Sequence, residues 1–575
     1  MTRIFDDPAD FATDVLDGLI AAHPDYVARV DGGVVRSTTV PAGQVAVVIG
    51  GGSGHYPSFA GLVGPGIATG SACGNLFASP SVGQIHRVSK AAHHGGGVLL
   101  SYGNYAGDVL NFDAAERRLR AEGIDARTVR VTDDIASAPL EEIEKRRGIA
   151  GDFVVFKIAG AAAEAGFDLD DVERLARRAN ARTRSLGVAF AGCTLPGATE
   201  PLFTVPEGMM SVGLGIHGEP GIFDIPMPTA TELAELLVSR LLVERPEGAG
   251  ERVAVILNGL GTVKYEELYI LYRRILPLLE HEGLRVVEPE VGEIVTSLDM
   301  SGLSLTLSWL DDELETLWSA AADTPAYRKG VAGARVRADA QVIAASVERA
   351  HEDASPAARK AGGVAAALLE AVAQTIDSNA DELGRIDAIA GDGDHGIGMK
   401  RGIGAAVVSA RTSAAGDLGV HELLSAAAER WSEEAGGTSG ALWAGAITAF
   451  ADRLGNSESY GTADVVDAAR AGLEEVMSMG KAEVGDKTMI DAMVPYVDRL
   501  ATEIEAGSPL ALALAGAAET ARDAAEATAS LSPRLGRARP LAAKSIGHPD
   551  AGAISFGLIV ARIADEARAL TNAHE

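Results

Sequence analysis

The sequence predicts an α/β half followed by an all-helical half, and three observations carry that fold class. Residues 1 to about 330 alternate short apolar runs with helix-periodic segments, the pattern of stacked α/β layers. From about 364 to 575 alanine is abundant, apolar residues recur three and four apart, and β-branched runs are scarce, the pattern of an all-α domain. Between them, 331–363 shifts to Ala, Arg, Asp and Glu without strand signals and reads as a partly helical linker. At 575 residues the chain exceeds what one core can serve.

The totals exclude several classes of function. Apolar residues make up 47% and charged residues 23%, yet no run of about 18 apolar residues occurs, so no membrane-spanning helix is expected. The start, Phe5-Asp6-Asp7-Pro8, lacks a basic-then-apolar signal pattern, and a cytoplasmic location is expected. Cys73 and Cys193 show no metal-ligand spacing and no disulfide framework; each is expected as a small buried side chain in a reducing compartment. A net charge of −30, from 50 basic and 80 acidic residues, opposes nucleic acid and anionic lipid as partners. An anionic substrate would then need a local metal or basic site. The 67 glycines cluster beside strand-like segments, where they let backbone approach a phosphate or substrate closely.

In the first half, Val45-Ala46-Val47-Val48-Ile49 reads as a buried strand, followed by a loop Gly50-Gly51-Gly52-Ser53-Gly54-His55-Tyr56-Pro57. A dinucleotide fingerprint fails there, because His55 holds its third glycine position. Val98 to Tyr102 reads as a second strand, running into the loop Gly103-Asn104-Tyr105-Ala106-Gly107-Asp108. Strand ends that hand over to such loops are where open α/β sheets place ligands. A helix is expected from about Leu169 to Ser185, with Asp168, Asp170 and Asp171 as its acidic start. In Gly213-Leu214-Gly215-Ile216-His217-Gly218-Glu219-Pro220-Gly221 a histidine is fenced by glycines and a proline, leaving few bulky sequence neighbours to shield its ring. A lone histidine is more often structural, and the fence is what sets this one apart. Val253 to Leu257 and Leu303 to Leu307 read as strands, with a helix from Glu266 to Glu280 between them.

The second half turns on Asp387-Ala388-Ile389-Ala390-Gly391-Asp392-Gly393-Asp394. On a continuous helix Asp387 and Asp394 would lie about 10 Å apart, too far to share one ion, so the chain must turn. Gly391 and Gly393 supply that freedom and fold three carboxylates into one volume. All-oxygen ligands suit Mg²⁺ gripping phosphates. A solvated Asp-Gly turn is the competing reading. An EF-hand loop fails, since Gly396 and Ile403 stand at its fifth and last ligand positions. Three further glycine breaks interrupt the helices. Gly436-Gly437-Thr438-Ser439-Gly440 opens onto a helix from Ala441, either as an anion site or as a plain cap. The others run from Gly480 to Met489 and from Gly536-Arg537-Ala538 to Gly547-His548-Pro549-Asp550-Ala551-Gly552. None is a Walker loop, although Gly485-Asp486-Lys487-Thr488 looks similar.

Taken in order, GGGSGH from Gly50, NYAGD from Asn104, GLGIHGEPG from Gly213, TSLDM from Thr296, GDGDHG from Gly391, GGTSG from Gly436, GDKTM from Gly485 and GRA from Gly536 resemble the single-chain, ATP-dependent dihydroxyacetone kinases over nearly the whole chain. The resemblance implies a ketose-binding first half of two α/β subdomains, and a nucleotide-binding second half built as a barrel of antiparallel helices. It implies that His217 bonds covalently to the substrate carbonyl carbon, giving a hemiaminal that selects ketones and aldehydes over glycerol. By the same resemblance Asp108 takes the proton of the attacking hydroxyl, His55 is its acid–base partner, and Gly52, Ser53 and Gly54 contact the sugar through backbone. Asp387, Asp392 and Asp394 are implied to hold two Mg²⁺ that bridge the phosphates of ATP. His395, Gly396, Ile397, Gly398, Thr438, Ser439, Gly480, Met489, Arg537 and Asp550 are implied nucleotide contacts. A homodimer through the first half is implied as well.

Two departures from the family pattern concern the substrate. Tyr56 stands where a glutamate is usual, and Gly103 where a lysine precedes the NYTGD-like motif. Loss of the lysine deletes a charge and a long stem, which predicts room for a fourth carbon and so a ketotetrose such as erythrulose. The alternative is that a neighbour fills the gap and dihydroxyacetone is the substrate. A ketose- or nucleotide-sensing regulator without catalysis is opposed by the retention of His217, Asp108 and all three aspartates. A carrier-dependent kinase is opposed by the fusion of both halves without a carrier domain.

Overall fold

The computed structural model describes residues 2–219, 221–331, 354–389, 391, 393–416, 418–535 and 542–572. The chain divides into two compact units, 1–347 and 348–575. After α1 (Phe11–Ala22), the first unit builds a six-stranded sheet from β1 (Val27–Val30), β2 (Gly33–Arg36), β3 (Ala46–Ser53), β4 (Gly70–Leu76), β5 (Val98–Gly103) and β6 (Ala126–Val131). Strand order is β1-β2-β4-β3-β5-β6; the last four run parallel, and β2 and β1 add antiparallel at the edge. Alternate residues feed different cores. Val47, Ile49, Leu99 and Val129 belong to one apolar cluster, while Ala46, Val48, Leu100 and Ala126 belong to another with Ile85, Phe112 and Leu119. Both faces are therefore covered, which is why these strands read as unbroken apolar runs. The covering helices are α2 (Val82–Ala92) and α3 (Ala106–Ala121) on one side, α4 (Gly151–Glu164) and α5 (Leu169–Ala181) on the other.

The second sheet has seven strands: β7 (Thr183–Ala191), β8 (Met209–Val212), β9 (Phe223–Pro226), β10 (Arg252–Gly259), β11 (Arg285–Val286), β12 (Glu290–Gly292) and β13 (Ser301–Trp309). Its order is β11-β10-β13-β7-β8-β9, with β12 beside β10. Helices α6 (Ala230–Val243) and α7 (Tyr265–His281) cover one face through Leu233, Leu237, Leu268 and Ile275, which pack on Val253, Val255 and Leu305. α4 touches strands of both sheets and is buried from Gly151 to Ala163, as befits a helix apolar on all sides. α8 (Asp312–Trp318) packs against it.

Three local expectations are corrected. The glycine run after Ile49 is strand, because β3 continues to Ser53. A Cβ on Gly50 would lie 2.4 Å from Ala72 O, one on Gly51 2.5 Å from the Phe59 ring, and one on Gly52 2.6 Å from Ala78 N. Close packing, and not an open loop, requires them. The helix from Leu169 stops at Ala181, because Thr183 and Ser185 already belong to β7, where their hydroxyls meet Ser308 at 3.0 Å and Thr306 at 2.7 Å across the sheet. After β5 only Asn104 and Tyr105 lie outside regular structure, so Asp108 sits in the first turn of α3.

The second unit is helical: α9 (Pro356–Asp387), α10 (His395–Ala415), α11 (Val420–Ala435), α12 (Gly437–Leu454), α13 (Thr462–Gly480), α14 (Ile490–Glu505), α15 (Leu510–Ala527), the short α16 (Ala542–Ser545) and α17 (Ala551–Asn572). α9 starts inside the stretch read as linker, because the Ser355 hydroxyl accepts from Ala358 N at 3.0 Å and Pro356 fits the first helical position. Residues 332–353 lie outside the described residues. Each long helix packs on the next, and α17 packs on both α15 and α9, closing a ring. Short connections make successive helices antiparallel. Alanines 427, 492, 513, 517, 521, 525 and 553 line the core and let the helices approach closely, while Trp431, Trp443 and Phe556 stack within it. No helix among the described residues is long and apolar enough to cross a membrane.

Candidate active site

In the first unit the parallel strands run β4-β3-β5-β6, so chain progression reverses direction between β3 and β5. The loops leaving the carboxyl ends of those two strands flank the resulting crevice. The first carries His55 and the second leads to Asp108. The second sheet contributes the loop after β8, with His217, and the segment 296–298 before β13. That segment is stitched to the first loop: Thr296 N donates to His55 O at 3.2 Å and Leu298 N to Gly54 O at 2.9 Å.

The two histidines meet directly, with His55 Nε2 lying 3.0 Å from His217 Nε2. His55 Nδ1 is 2.7 Å from Thr296 O, which only accepts, so Nδ1 carries a hydrogen. His217 Nδ1 is 3.1 Å from Glu219 Oε1, and the same carboxylate accepts His217 N through Oε2 at 3.1 Å. Arg147 follows, 3.6 Å from Glu219 Oε2 and 2.8 Å from Asp134 Oδ2. Burial opposes the Glu219 charge, but His217 and Arg147 outweigh it and hold the carboxyl below the usual range. Burial, followed by the His217 ring, lowers His55 to about 3, so His55 is neutral near pH 7. With both Nδ1 atoms committed to acceptors, the two Nε2 lone pairs face each other. A contact of 3.0 Å then requires one proton between them.

The rings around His217 form its real fence. Tyr105 packs edge-on at 4.7 Å between centroids, Phe77 at 5.3 Å, and Phe77 stacks on His55 at 5.0 Å. The motif's glycines serve this geometry. A Cβ on Gly215 would strike Glu219 Oε2 at 2.1 Å, and Gly218 takes φ +88°. Ser53 donates to Gly74 O at 2.6 Å, and Gly54 takes φ +104° with the Phe77 ring against it. Asp108 lies buried in the first turn of α3, three residues after Tyr105.

Tyr56 is not gathered with these residues. Its ring lies against Gly61 near Ala326, 45% exposed, and only its carbonyl is engaged, by the Thr296 hydroxyl. Gly103 does not open a void. A Cβ there would meet Asp152 Oδ2 at 3.1 Å, Gly148 O at 3.2 Å and Tyr105 Cε2 at 3.3 Å. The expected room is occupied by neighbours. Cys193 is buried as expected, whereas Cys73 is only partly so.

In the second unit the four glycine breaks are alternate connections, α9–α10, α11–α12, α13–α14 and α15–α17, and alternate connections of an antiparallel ring lie at one end. His395 confirms the gathering, its Nε2 3.0 Å from Ser555 Oγ and its Nδ1 3.4 Å from Ser439 Oγ. Asp387 ends α9 and accepts Gly393 N at 2.8 Å, with Gly393 at φ +79°. The turn demanded by the sequence is present. Asp394 is exposed by surface area, yet burial by the surrounding protein, and then Asp387, raise its carboxyl. Asp550 accepts Ala553 N at 2.8 Å, and burial, with Asp491 and Asp387, raises it to about 6. No lysine or arginine pairs with Asp387 or Asp394 among the described residues, and burial keeps the neighbouring His395 from readily taking up a balancing charge. Uncompensated carboxylates of this kind fit a hard divalent cation. Asp392 and Arg537 lie outside the described residues, and among those described no three ligating side chains are gathered tightly enough for a metal.

Several expected nucleotide contacts have structural duties. A Cβ on Gly396 would lie 1.9 Å from Ala380 O, so this glycine permits the α9–α10 crossing. Gly398 faces Ala435 O, Met489 is buried beside Gly552, and Gly480 ends α13. Ile397 is exposed. Gly436 and Gly437, both at φ +61°, form the turn into α12, which places Thr438 and Ser439 in that helix's first turn. Lys487 is no phosphate hook, since its Nζ donates to Ser545 O at 2.7 Å and Leu531 O at 3.2 Å.

Reading the sequence assigned no role to Glu219, Arg147, Asp134, Phe77, Tyr105 or Asp152. A usable signal existed for two pairs: Asp133-Asp134 directly follows β6, and Arg146-Arg147 follows on the same path. Replacing Glu219 by glutamine leaves the size but removes the charge that holds His217 Nδ1–H. Ketose kcat/KM is expected to fall about 10²-fold with nucleotide affinity unchanged, as steady-state kinetics and calorimetry will measure.

An α/β unit presenting paired histidines at a switch point, followed by a helical ring presenting carboxylates at one end, defines a two-part small-molecule transferase. Family models for the Dak1 domain and the DAK2 domain match residues 17–326 and 389–565, and the chain belongs to the single-chain dihydroxyacetone kinase family. It is 56% identical to the L-erythrulose kinase of Pectobacterium atrosepticum, over 97% of this chain and 95% of that one. It is 51% identical to the D-erythrulose kinase of Mycolicibacterium smegmatis, over 98% of each. Among solved structures, the dihydroxyacetone kinase from C. freundii in complex with AMP-PNP and Mg²⁺ matches with TM-score 0.53 and 31% identity, over 98% of this chain and 99% of that one.

Proposed function

We propose that this protein is an ATP-dependent kinase that phosphorylates a terminal hydroxyl of a four-carbon ketose held covalently on His217. The observation that carries this reading is the pair of facing Nε2 atoms with both Nδ1 atoms committed. The shared proton first moves onto His55 Nε2, which frees the His217 Nε2 lone pair; attack of that lone pair on the ketone carbon breaks the C=O π bond, and His55 then gives the proton to the new alkoxide and returns to its neutral form. The ring of His217 is then cationic and keeps its Nδ1–H, which the Glu219 carboxylate stabilises. Glycerol has no carbonyl to enter this step. Asp108 accepts the proton of the terminal hydroxyl as that oxygen becomes a nucleophile.

For the second unit, Asp387, Asp392 and Asp394 would hold two Mg²⁺, which supply charge neutralisation to the ATP phosphates. The first turns of α10 and α12 offer free amides to the phosphates. Identity with erythrulose kinases supports the four-carbon substrate, and the relatives of both hands leave the enantiomer to measurement. A homodimer and a cytoplasmic location belong to the same reading. Purified protein, ATP and Mg²⁺ with dihydroxyacetone and both erythrulose enantiomers test it. An erythrulose kcat/KM at least about tenfold above that of dihydroxyacetone is expected; a strong preference for the triose would overturn the four-carbon assignment.

A further inference from the structure

The mechanism above leaves one buried carboxyl in the site wall unused. Asp152, 3% exposed, stands near the start of α4 in the otherwise apolar run Ile149 to Phe156. Its carboxyl is wedged between two glycines, with Oδ2 3.1 Å from a Cβ position on Gly103 and Oδ1 2.6 Å from one on Gly148. Gly148 in turn would bring a Cβ within 2.4 Å of Gly103 Cα, so the slot exists only because both residues lack side chains. An acid in a first helical turn ordinarily accepts that helix's free amides. Here Asp133 already accepts Ile149 N at 2.9 Å and Gly151 N at 2.8 Å, and Asp152 Oδ1 has no hydrogen-bond partner among the described residues.

Burial, then the Asp133 and Asp108 carboxyls, push Asp152 well above the usual carboxylate range, which favours the protonated form, a group with one O–H to donate and one oxygen to accept. The second orphan is beside it. Tyr105 Oη is buried and also lacks a partner among the described residues, while Tyr105 Cε2 lies 3.3 Å from the same Gly103 Cβ position. The Tyr105 ring is the one that packs on His217. The Asp152 carboxyl and the Tyr105 ring thus both lie against Gly103, each side chain carries one unsatisfied polar atom, and the Tyr105 ring reaches His217. Leaving such groups unpaired is costly, and each calls for a ligand atom or a water.

We propose that Asp152 and the Tyr105 hydroxyl form a polar subsite for a hydroxyl on the carbon chain of the His217-bound ketose, the hydroxyl that a four-carbon ketose has and dihydroxyacetone lacks. The inference rests on the ketose kinase reading and deepens it. A hydroxyl both donates and accepts, which matches a neutral carboxyl and a phenol; a phosphate or carboxylate would meet the acidic wall and is disfavoured. Gly103 and Asp152 act together, because a long cationic side chain at 103 would take up the carboxyl as an ion pair and fill the slot.

The test is the ratio of kcat/KM for erythrulose to that for dihydroxyacetone in wild type, Asp152→Ala, Asp152→Asn and Tyr105→Phe, with folding checked by thermal melting. Asp152→Ala and Tyr105→Phe are expected to lower the ratio about 10-fold or more, and Asp152→Asn, which keeps a donor and an acceptor, to lower it less than Asp152→Ala. An unchanged ratio in the folded variants, whatever happens to the absolute rates, overturns the subsite; Tyr105→Phe keeps this decisive if the buried acid does not tolerate change. A wild type that phosphorylates neither ketose instead overturns the kinase reading. The ketose adduct measured by mass spectrometry then decides the subsite alone: selective loss of the erythrulose adduct supports it, and equal adducts overturn it.

Discussion

His217→Ala is expected to lower ketose kcat/KM by at least about 10³-fold, because it removes the proposed nucleophile and not merely a contact. Alanine leaves a cavity ringed by Phe77, Tyr105 and His55, and the cavity still admits a ketose, so weak noncovalent occupancy can persist. What is lost is the covalent anchor that fixes the terminal hydroxyl. Three measurements separate this from a folding defect. Intact-mass spectrometry should show the ketose adduct in wild type and none in the variant. Calorimetric ATP binding should be unchanged, since the proposed nucleotide site is built from second-unit residues. Removing the His217 ring leaves a cavity and unpairs Glu219 and His55 Nε2, so the melting temperature should fall modestly while the variant stays folded. Unchanged KM and kcat would refute the covalent role.

The course of the chain was legible wherever one residue pattern had one physical solution. Apolar runs flanked by turn residues gave the parallel strands, and alanine-rich periodicity gave the helical ring. Pattern reading failed where neighbours distant in sequence decided the outcome. Gly50, Gly51 and Gly52 read as a ligand loop, but they are strand residues whose side-chain space belongs to Ala72, Phe59 and Ala78. Gly103 read as a gap, because a missing side chain implies space only if nothing else moves in; Asp152 and Tyr105 have done so.

The same limit applied within the site. His217 and Asp108 stand in recognisable motifs, whereas the chain of ion pairs through Glu219, Arg147 and Asp134 joins the segment between β6 and α4 to the loop after β8, which is distant in sequence. Fencing by glycines singled out His217, but its structural meaning is different. The glycines give room to Glu219 and Arg147 behind the ring, while aromatic residues from two other segments enclose its front.

Asp387→Asn and Asp394→Asn are each expected to reduce turnover by about 10³-fold or more while leaving the fold intact. Phosphoryl transfer asks the protein mainly for positioning and charge neutralisation, and an amide oxygen binds a divalent cation far more weakly than a carboxylate. In the metal-free protein the sign of the stability change is the reverse. Asp387 raises Asp394, so the two carboxyls repel, and removing either charge relieves that repulsion. The variants should therefore melt at or above the wild-type temperature in EDTA. Adding Mg²⁺ with a non-hydrolysable ATP analogue should stabilise wild type and leave the variants nearly unmoved, by mass action on the folded state alone. The ketose adduct on His217 should survive in both variants, because its formation uses only first-unit groups. Wild-type turnover in either variant would remove that residue from the metal set, and a wild type fully active in EDTA would remove the metal from the reaction.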